Sequence, residues 1–351
     1  MRMTGQASWF VRLALIVSLV FTLVSCMDVQ TPVVPTLTPL PTPTPGQADV
    51  STNANLPIAP SSTIKVDSEG FADPSFRSLW QKYDGAVASG DLARGWFWGQ
   101  PVPFGAEEEP YAESPGGKRL VEYFDKGRME INDPAADPTS EWYVTSGLLT
   151  TELVTGRVQV GANAFDTQSP AQLPVTGDLD NVDPATPLYA DLGGAGMSAA
   201  VDRTGQTVNT KFVHGQGDVE IAPPVPVTIA SYDATVQHNI ADVFVNYFDH
   251  DLAAMDLNWL YVMGHPISEP YWVTARFGGT SQLVLVQLFE RRALSFNPNN
   301  KAGLQVEFTN IGLHYYRWRY HGSTGFVPPQ PVAVVEPPTS AERAASSRNW
   351  T

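Results

Sequence analysis

Apolar residues recur at helical spacing just after Asp73-Pro74, where Phe76, Leu79, Trp80 and Tyr83 fall on one face. The spacing predicts an amphipathic helix with a start signal before it. The pattern then shortens. Residues 119–124 and 128–132 are rich in β-branched, aromatic and other apolar side chains and flank a turn at Lys126-Gly127, so they read as two short strands. Residues 283–289 are almost wholly apolar, which predicts a strand buried on both faces. A second helical face comes from Ile240, Val243, Phe244 and Tyr247, with Asn239 placed to cap it. Trp142, Leu149 and Leu153 return to helical spacing between Asp137-Pro138 and Gly156. The matching later segment is expected as a short helix ending near Gly312, followed by an extended run. In that run His314, Tyr316, Trp318 and Tyr320 would share one face, with Tyr315, Arg317, Arg319 and His321 on the other.

These patterns repeat. Leu120-Val121-Glu122-Tyr123-Phe124-Asp125-Lys126 is echoed by Leu285-Val286-Gln287-Leu288-Phe289-Glu290-Arg291, 165 positions on. The same offset carries Gly99 and Pro101 onto Gly264 and Pro266, and Gly147-Leu148 onto Gly312-Leu313. Glu109-Pro110-Tyr111 recurs as Glu269-Pro270-Tyr271 at a different offset, so the following loop differs in length. The expected fold class is α+β: two divergent repeats, each a helix plus a β-hairpin and a short final element. Repeat one is placed at 65–158 and repeat two at 236–323. The connecting region 159–235 is rich in Gly, Pro and Asp and is too long for a plain loop. Strand-like pieces at 210–213 and 225–229 suggest a small β layer there.

The termini differ in kind. Arg2 and Arg12, an apolar run and then Leu23-Val24-Ser25-Cys26 give the layout of a secretory signal peptide over residues 1–25. The last four residues resemble a lipobox, which implies lipid attachment at Cys26. That is the sole cysteine, so no disulfide can form within the chain. Residues 31–46 hold Thr and Pro in near alternation, and 26–64 read as an extended tether. Residues 324–351 read as a disordered tail. The formal charge of −15 becomes −17 once Arg2 and Arg12 leave with the signal. Such a balance excludes nucleic acid as a partner and gives no general attraction to anionic lipid. The membrane partner is therefore reached through the lipid, and the expected location is the extracytoplasmic face of the cell membrane.

Residues 94–155 and 264–320 resemble a group of uncharacterised exported and lipid-anchored proteins common in Chloroflexota-type bacteria. The resemblance runs through Glu109-Pro110-Tyr111, Phe289-Glu290-Arg291-Arg292 and His314-Tyr315-Tyr316-Arg317-Trp318-Arg319-Tyr320. It brings no activity with it. A more distant likeness is to the LGFP repeat, which implies cell-wall attachment. Where that repeat has Leu-Gly-Phe-Pro, this chain has Trp98-Gly99-Gln100-Pro101 and Met263-Gly264-His265-Pro266.

Catalytic chemistry is hard to place. All six histidines follow the first repeat, but none makes a His-Glu-x-x-His spacing, and no metal or cofactor site is expected. Asp249-His250-Asp251 reads as a solvated helix end. Asp178, Asp180 and Asp183 read as an acidic loop, since Val182 and Asp183 stand where a calcium loop wants oxygen and glycine. Ser198 lacks the closing glycine of a nucleophile elbow. Glu109, Glu122, Glu269 and Glu290 are the carboxylates available for glycan hydrolysis. Recurrence of two of them in Glu-Pro-Tyr favours a structural role. Trp96, Trp98, Tyr316 and Trp318 are binding candidates, with core packing the stronger reading for each set. Arg317 and Arg319 are the exposed binding candidates. The expected function is a non-catalytic envelope module that binds a cell-wall polysaccharide or a surface protein. The alternatives are a glycan hydrolase with its site in the second repeat and a solute-binding lipoprotein.

Overall fold

The computed structural model describes residues 64–100, 103 and 105–321. Cys26, the signal peptide, the tether and the tail lie outside the described residues. Among the described residues no helix is long and apolar enough to cross a membrane.

Helix α1 spans Pro74–Ala88. The Asp73 side chain accepts from the Ser75 amide at 2.7 Å, and Pro74 fills the first helical position, where a missing N–H costs nothing. Three strands follow: β1 (Gly105–Pro110), β2 (Lys118–Phe124) and β3 (Gly127–Ile131). They form one antiparallel sheet in that order. Phe124 pairs with Gly127, so the hairpin turn is Asp125-Lys126, one residue earlier than the pattern suggested. Helix α2 (Leu149–Thr155) stops at Gly156, whose φ of 73° needs no Cβ penalty. Trp142 lies in the loop before it rather than on the helix.

The connecting region carries β4 (Arg157–Gln159), β5 (Phe165–Thr167), β6 (Thr210–Val213), β7 (Gly217–Glu220) and β8 (Ile229–Asp233). The last of these begins where the expected strand at 225–229 was to end. Strand β9 (His238–Ala241) pairs with β8 and includes Asn239, which therefore does not cap a helix. Instead the backbone leaves the strand at Ala241, and α3 (Asp242–Tyr247) begins two residues later than expected. A wider π-helical turn extends it through Leu252. Then come α4 (Trp259–Met263), β10 (Tyr271–Phe277), β11 (Thr280–Leu288), β12 (Ala293–Phe296) and β13 (Val306–Phe308). Helix α5 (Ile311–Tyr316) continues as a π-helical turn, Arg317–His321, so the extended run expected after Gly312 is helical.

Six strands make the larger sheet, in the order β13-β12-β11-β10-β6-β7. The connecting region thus supplies two strands of it, with β6 parallel to β10. The protein is α+β. The first half runs helix, three antiparallel strands, helix; the second runs two helices, four antiparallel strands, helix, and β2 and β3 stand about 165 positions before β11 and β12.

The central strands of both sheets pack against helices on both faces. On one face Phe124, Met129, Leu285, Phe289 and Leu294 join Phe76, Trp80 and Phe244 from α1 and α3. On the other Val121, Tyr123, Val286 and Leu288 join Leu149, Leu153 and Tyr315 from α2 and α5. The final helices cross over. Gly312 and Leu313 at the start of α5 donate their amides to the Asp125 carbonyl at 3.1 and 3.3 Å. The Thr151 amide of α2 donates to the Glu290 carbonyl at 3.2 Å. Each half's last helix therefore closes the other half's turn.

Gly312 has no room for a side chain. A Cβ there would overlap the carbonyl oxygens of Phe124 and Gly127, which are backbone and cannot swing away. Alanine raises helix propensity by about 1 kcal/mol, but overpacking a closed contact costs typically ~1–3 kcal/mol. Gly312→Ala is expected to lower the denaturation midpoint. An unchanged or higher midpoint would show that α5 is not seated against the first hairpin.

Candidate functional site

The binding candidates read from the sequence are gathered but covered. Arg317 is 7% exposed and Arg319 5%. This corrects the expectation that they are exposed. A helix turns residues 315–320 into the space beside both sheets, where an extended strand would have shown alternate residues to solvent. Arg317 pairs with Asp180 at 3.3 Å. Tyr316 packs edge-on against Tyr123 with ring centroids 4.9 Å apart, and Trp318 donates to the Ser169 carbonyl at 3.0 Å. Trp98 is buried under the Arg292 guanidinium, 4.4 Å from its ring, while Trp96 packs partly buried on the same core.

The α2 and α5 face of the small sheet holds an ionic cluster. Period-two alternation puts Glu107 and Glu109 of β1, Arg119 of β2, and Arg128 and Glu130 of β3 on that face. Arg119 reaches Glu109 at 3.3 Å and Glu130 at 3.1 Å. Arg128 reaches Glu109 at 3.1 Å and also pairs with Glu130. Tyr320 donates to Glu109 at 2.8 Å, and Tyr123 donates to the same carboxylate. Burial pushes Glu109 up, but Arg128, Arg119 and Arg319 overcome it and hold the carboxyl at about 2. Glu152 of α2 takes the opposite sign: burial raises it, against opposition from Arg128 and Arg119. The counterparts of Arg119, Arg128 and Glu130 in the second half are Val284, Ala293 and Ser295. The charged layer belongs to one half only.

The histidines are engaged separately. His265 Nδ1 lies 2.6 Å from Asp233, and that hydrogen bond raises the imidazole above its ordinary value despite partial burial. His314 is buried beside the Tyr189 hydroxyl at 2.9 Å, and burial pushes it down to about 3. Asp249, His250 and Asp251 are exposed on the π-helical turn. Asp178 accepts from the Gly278 and Gly279 amides at 3.1 and 2.9 Å, so part of the acidic loop fastens the β10–β11 turn. No group of three His, Cys, Asp or Glu side chains among the described residues could hold a metal ion.

A groove of about 900 Å³ runs between α1, the loop 138–144 and the segment 253–261. Its exposed polar side chains are Ser78 and Lys82 of α1, Thr139, Ser140 and Glu141 of the loop, and Asp256 and Asn258 opposite. Lys82 sits 4.9 Å over the Tyr83 ring. Its ammonium is raised by the Tyr83 hydroxyl first, then by Asp256 and Glu141. Asp256 has φ 56°, a left-handed geometry that a short Asp tolerates. The loop wall is preset. Asp133 and Asp137 each accept the amide two residues on, and Tyr261 donates to the Val144 carbonyl. Beside the lining, Trp142 is 40% exposed and stands edge-on to Tyr261 with ring centroids 4.9 Å apart. None of these residues was singled out for binding by the sequence. The available signal was the Asp-, Pro- and Ser-rich stretch before α2, because binding residues gather on loops held by a rigid scaffold.

Comparison with protein-family models, with curated proteins and with solved structures finds no match to this chain.

Proposed function

We propose that the protein is a lipid-anchored extracytoplasmic envelope protein whose body is a non-catalytic module binding a cell-wall polymer or surface partner. The same proposal keeps Cys26 as the lipid attachment point, an internal duplication behind the recurring element order, and kinship with the exported group and the LGFP repeat. The observation that carries it is the open groove of about 900 Å³, set apart from the buried, paired ionic cluster of the small sheet. That volume lies within the ~300–1,000 Å³ of ordinary ligand pockets. The carboxylates weighed for hydrolysis are otherwise occupied. Glu109 holds two arginines, and Glu269 holds Arg203 and the Asn239 amide. Glu290 accepts from the His265 amide at 3.0 Å, and Glu122 is fully buried. None of the four lines the groove.

The test is co-sedimentation of the full-length protein with purified envelope fractions, beside Cys26→Ala. The native chain is expected to fractionate with membranes and to retain wall material of unchanged length. The Cys26→Ala chain is expected to leave the membrane fraction yet still retain wall material. Absence of retention at every salt concentration, or shortening of the retained polymer, would overturn the binding reading.

A further inference from the structure

We propose that the groove takes a non-anionic glycan, a chain of uncharged or amino-bearing sugars, and rejects phosphate- or carboxylate-rich polymers. This rests on the envelope-binding reading and narrows its ligand. Charge carries the first step. Lys82 is the only cation among the lining side chains, and Glu141 and Asp256 both line the same space. The groove is thus net negative on a chain of net charge −15. An anionic polymer would enter against that field, whereas complementary potentials are what steer and select partners.

Geometry carries the second step. Peptides are commonly bound by adding a strand to a sheet edge, by seating an apolar helix face, or by arginine clusters on acidic motifs. No lining residue belongs to a strand, so there is no edge to extend. No arginine lines the groove. Its aliphatic side chains are few: Val144 and Leu257 are buried and Leu79 is half-buried. What the groove offers is hydroxyls at Ser78 and Thr139, an amide at Asn258, and two carboxylates. Carboxylate and amide oxygens accept from hydroxyl and amino groups of a sugar, and hydroxyls can do either. Trp142 adds an exposed ring at the loop wall. Aromatic faces supply large contact area with a polar edge, which suits a sugar ring.

The test uses full-length protein in detergent, titrated calorimetrically. The probes are N-acetylglucosamine oligomers and β-1,4-linked glucose oligomers as non-anionic chains, with polygalacturonate as the anionic one. Saturable binding to at least one non-anionic probe is expected, at least tenfold tighter than to polygalacturonate. Ser78→Trp, which fills the groove from an exposed helix position, and Trp142→Ala, which removes the ring, should each weaken it at least tenfold. Both positions are exposed, and an unchanged denaturation midpoint will confirm that the fold is kept. The pair Glu141→Lys and Asp256→Asn should narrow the preference over polygalacturonate. Tighter binding of polygalacturonate by the native chain would overturn the proposal. So would binding that ignores Ser78→Trp and Trp142→Ala, or no saturation by any non-anionic probe. If envelope material is retained in the co-sedimentation while these probes fail, and protease treatment of that material abolishes retention, a protein partner is indicated. The glycan inference then falls while the envelope reading stands.

Discussion

Arg128→Met is expected to destabilise the protein by about 3–5 kcal/mol, the usual cost of removing one partner from a buried ion pair. Arg128 is fully buried and bonded to Glu109 and Glu130. Its removal leaves Arg119 as the arginine bonded to both carboxylates, beside the Tyr123 and Tyr320 hydroxyls on Glu109 and the Thr145 hydroxyl on Glu130. Methionine keeps most of the volume, so the loss reports charge rather than a cavity. The double variant Arg128→Met with Glu130→Met should recover part of the loss, because the abandoned carboxylate leaves with its partner. Denaturant midpoints measure both. A single-variant loss below about 1 kcal/mol, well under the usual cost, would mean that the cluster is hydrated and not closed. That the second half builds the same face from Val284, Ala293 and Ser295 shows that a sheet of this kind does not need charges to fold.

Glu122→Gln should act in the opposite direction. Burial drives the Glu122 carboxyl up to about 8, helped by Asp67 and Asp73, while the Ala72 amide at 2.7 Å opposes the shift only in part. Its second carboxylate oxygen is buried with no partner. The sign follows from proton binding. Between the ordinary carboxyl value near 4.5 and about 8, the folded chain holds a proton that the unfolded chain has released. Stability therefore falls as pH rises through that window, by up to ~1.4 kcal/mol per pH unit. Glutamine mimics the neutral acid. The variant should gain a few kcal/mol at pH 8.5 by that slope and change little at pH 5. An equal effect at both values would sink the argument. The second half already has this solution: Gln287, 165 positions after Glu122, donates to the Asn239 and Ser268 carbonyls at 2.6 and 3.1 Å.

Helix α1 and the β2–β3 hairpin were legible because local pattern and burial agree there. The Asp73-Pro74 start signal precedes a clean apolar face, and the strand pattern at 119–124 becomes β2 to within a residue. Helix α5 was not legible. His314 to Tyr320 is dense in aromatics, whose intrinsic preference leans to strands, and only docking against both sheets makes it helical. Asn239 reads as a cap from its neighbours, yet its side chain is spent on Glu269 and the Val201 carbonyl. The ionic cluster was half legible. A strand at 128–132 sets Arg128 and Glu130 on one face by its alternation, but which face is covered depends on α2 and α5, far away in the chain. The groove was least legible, because its walls come from three separated segments with no shared period.

The crossing of the final helices sets an order of events. Lys126 bonds to Asn310 across 184 positions, and Glu109 waits for Tyr320 across 211. A chain made or delivered from its N-terminus exposes its first hairpin and buried charges long before their covers exist. That half can form its helix and strands early but cannot seal. A ribosome still holding residue 300 therefore holds a first half whose covering helix has not yet arrived.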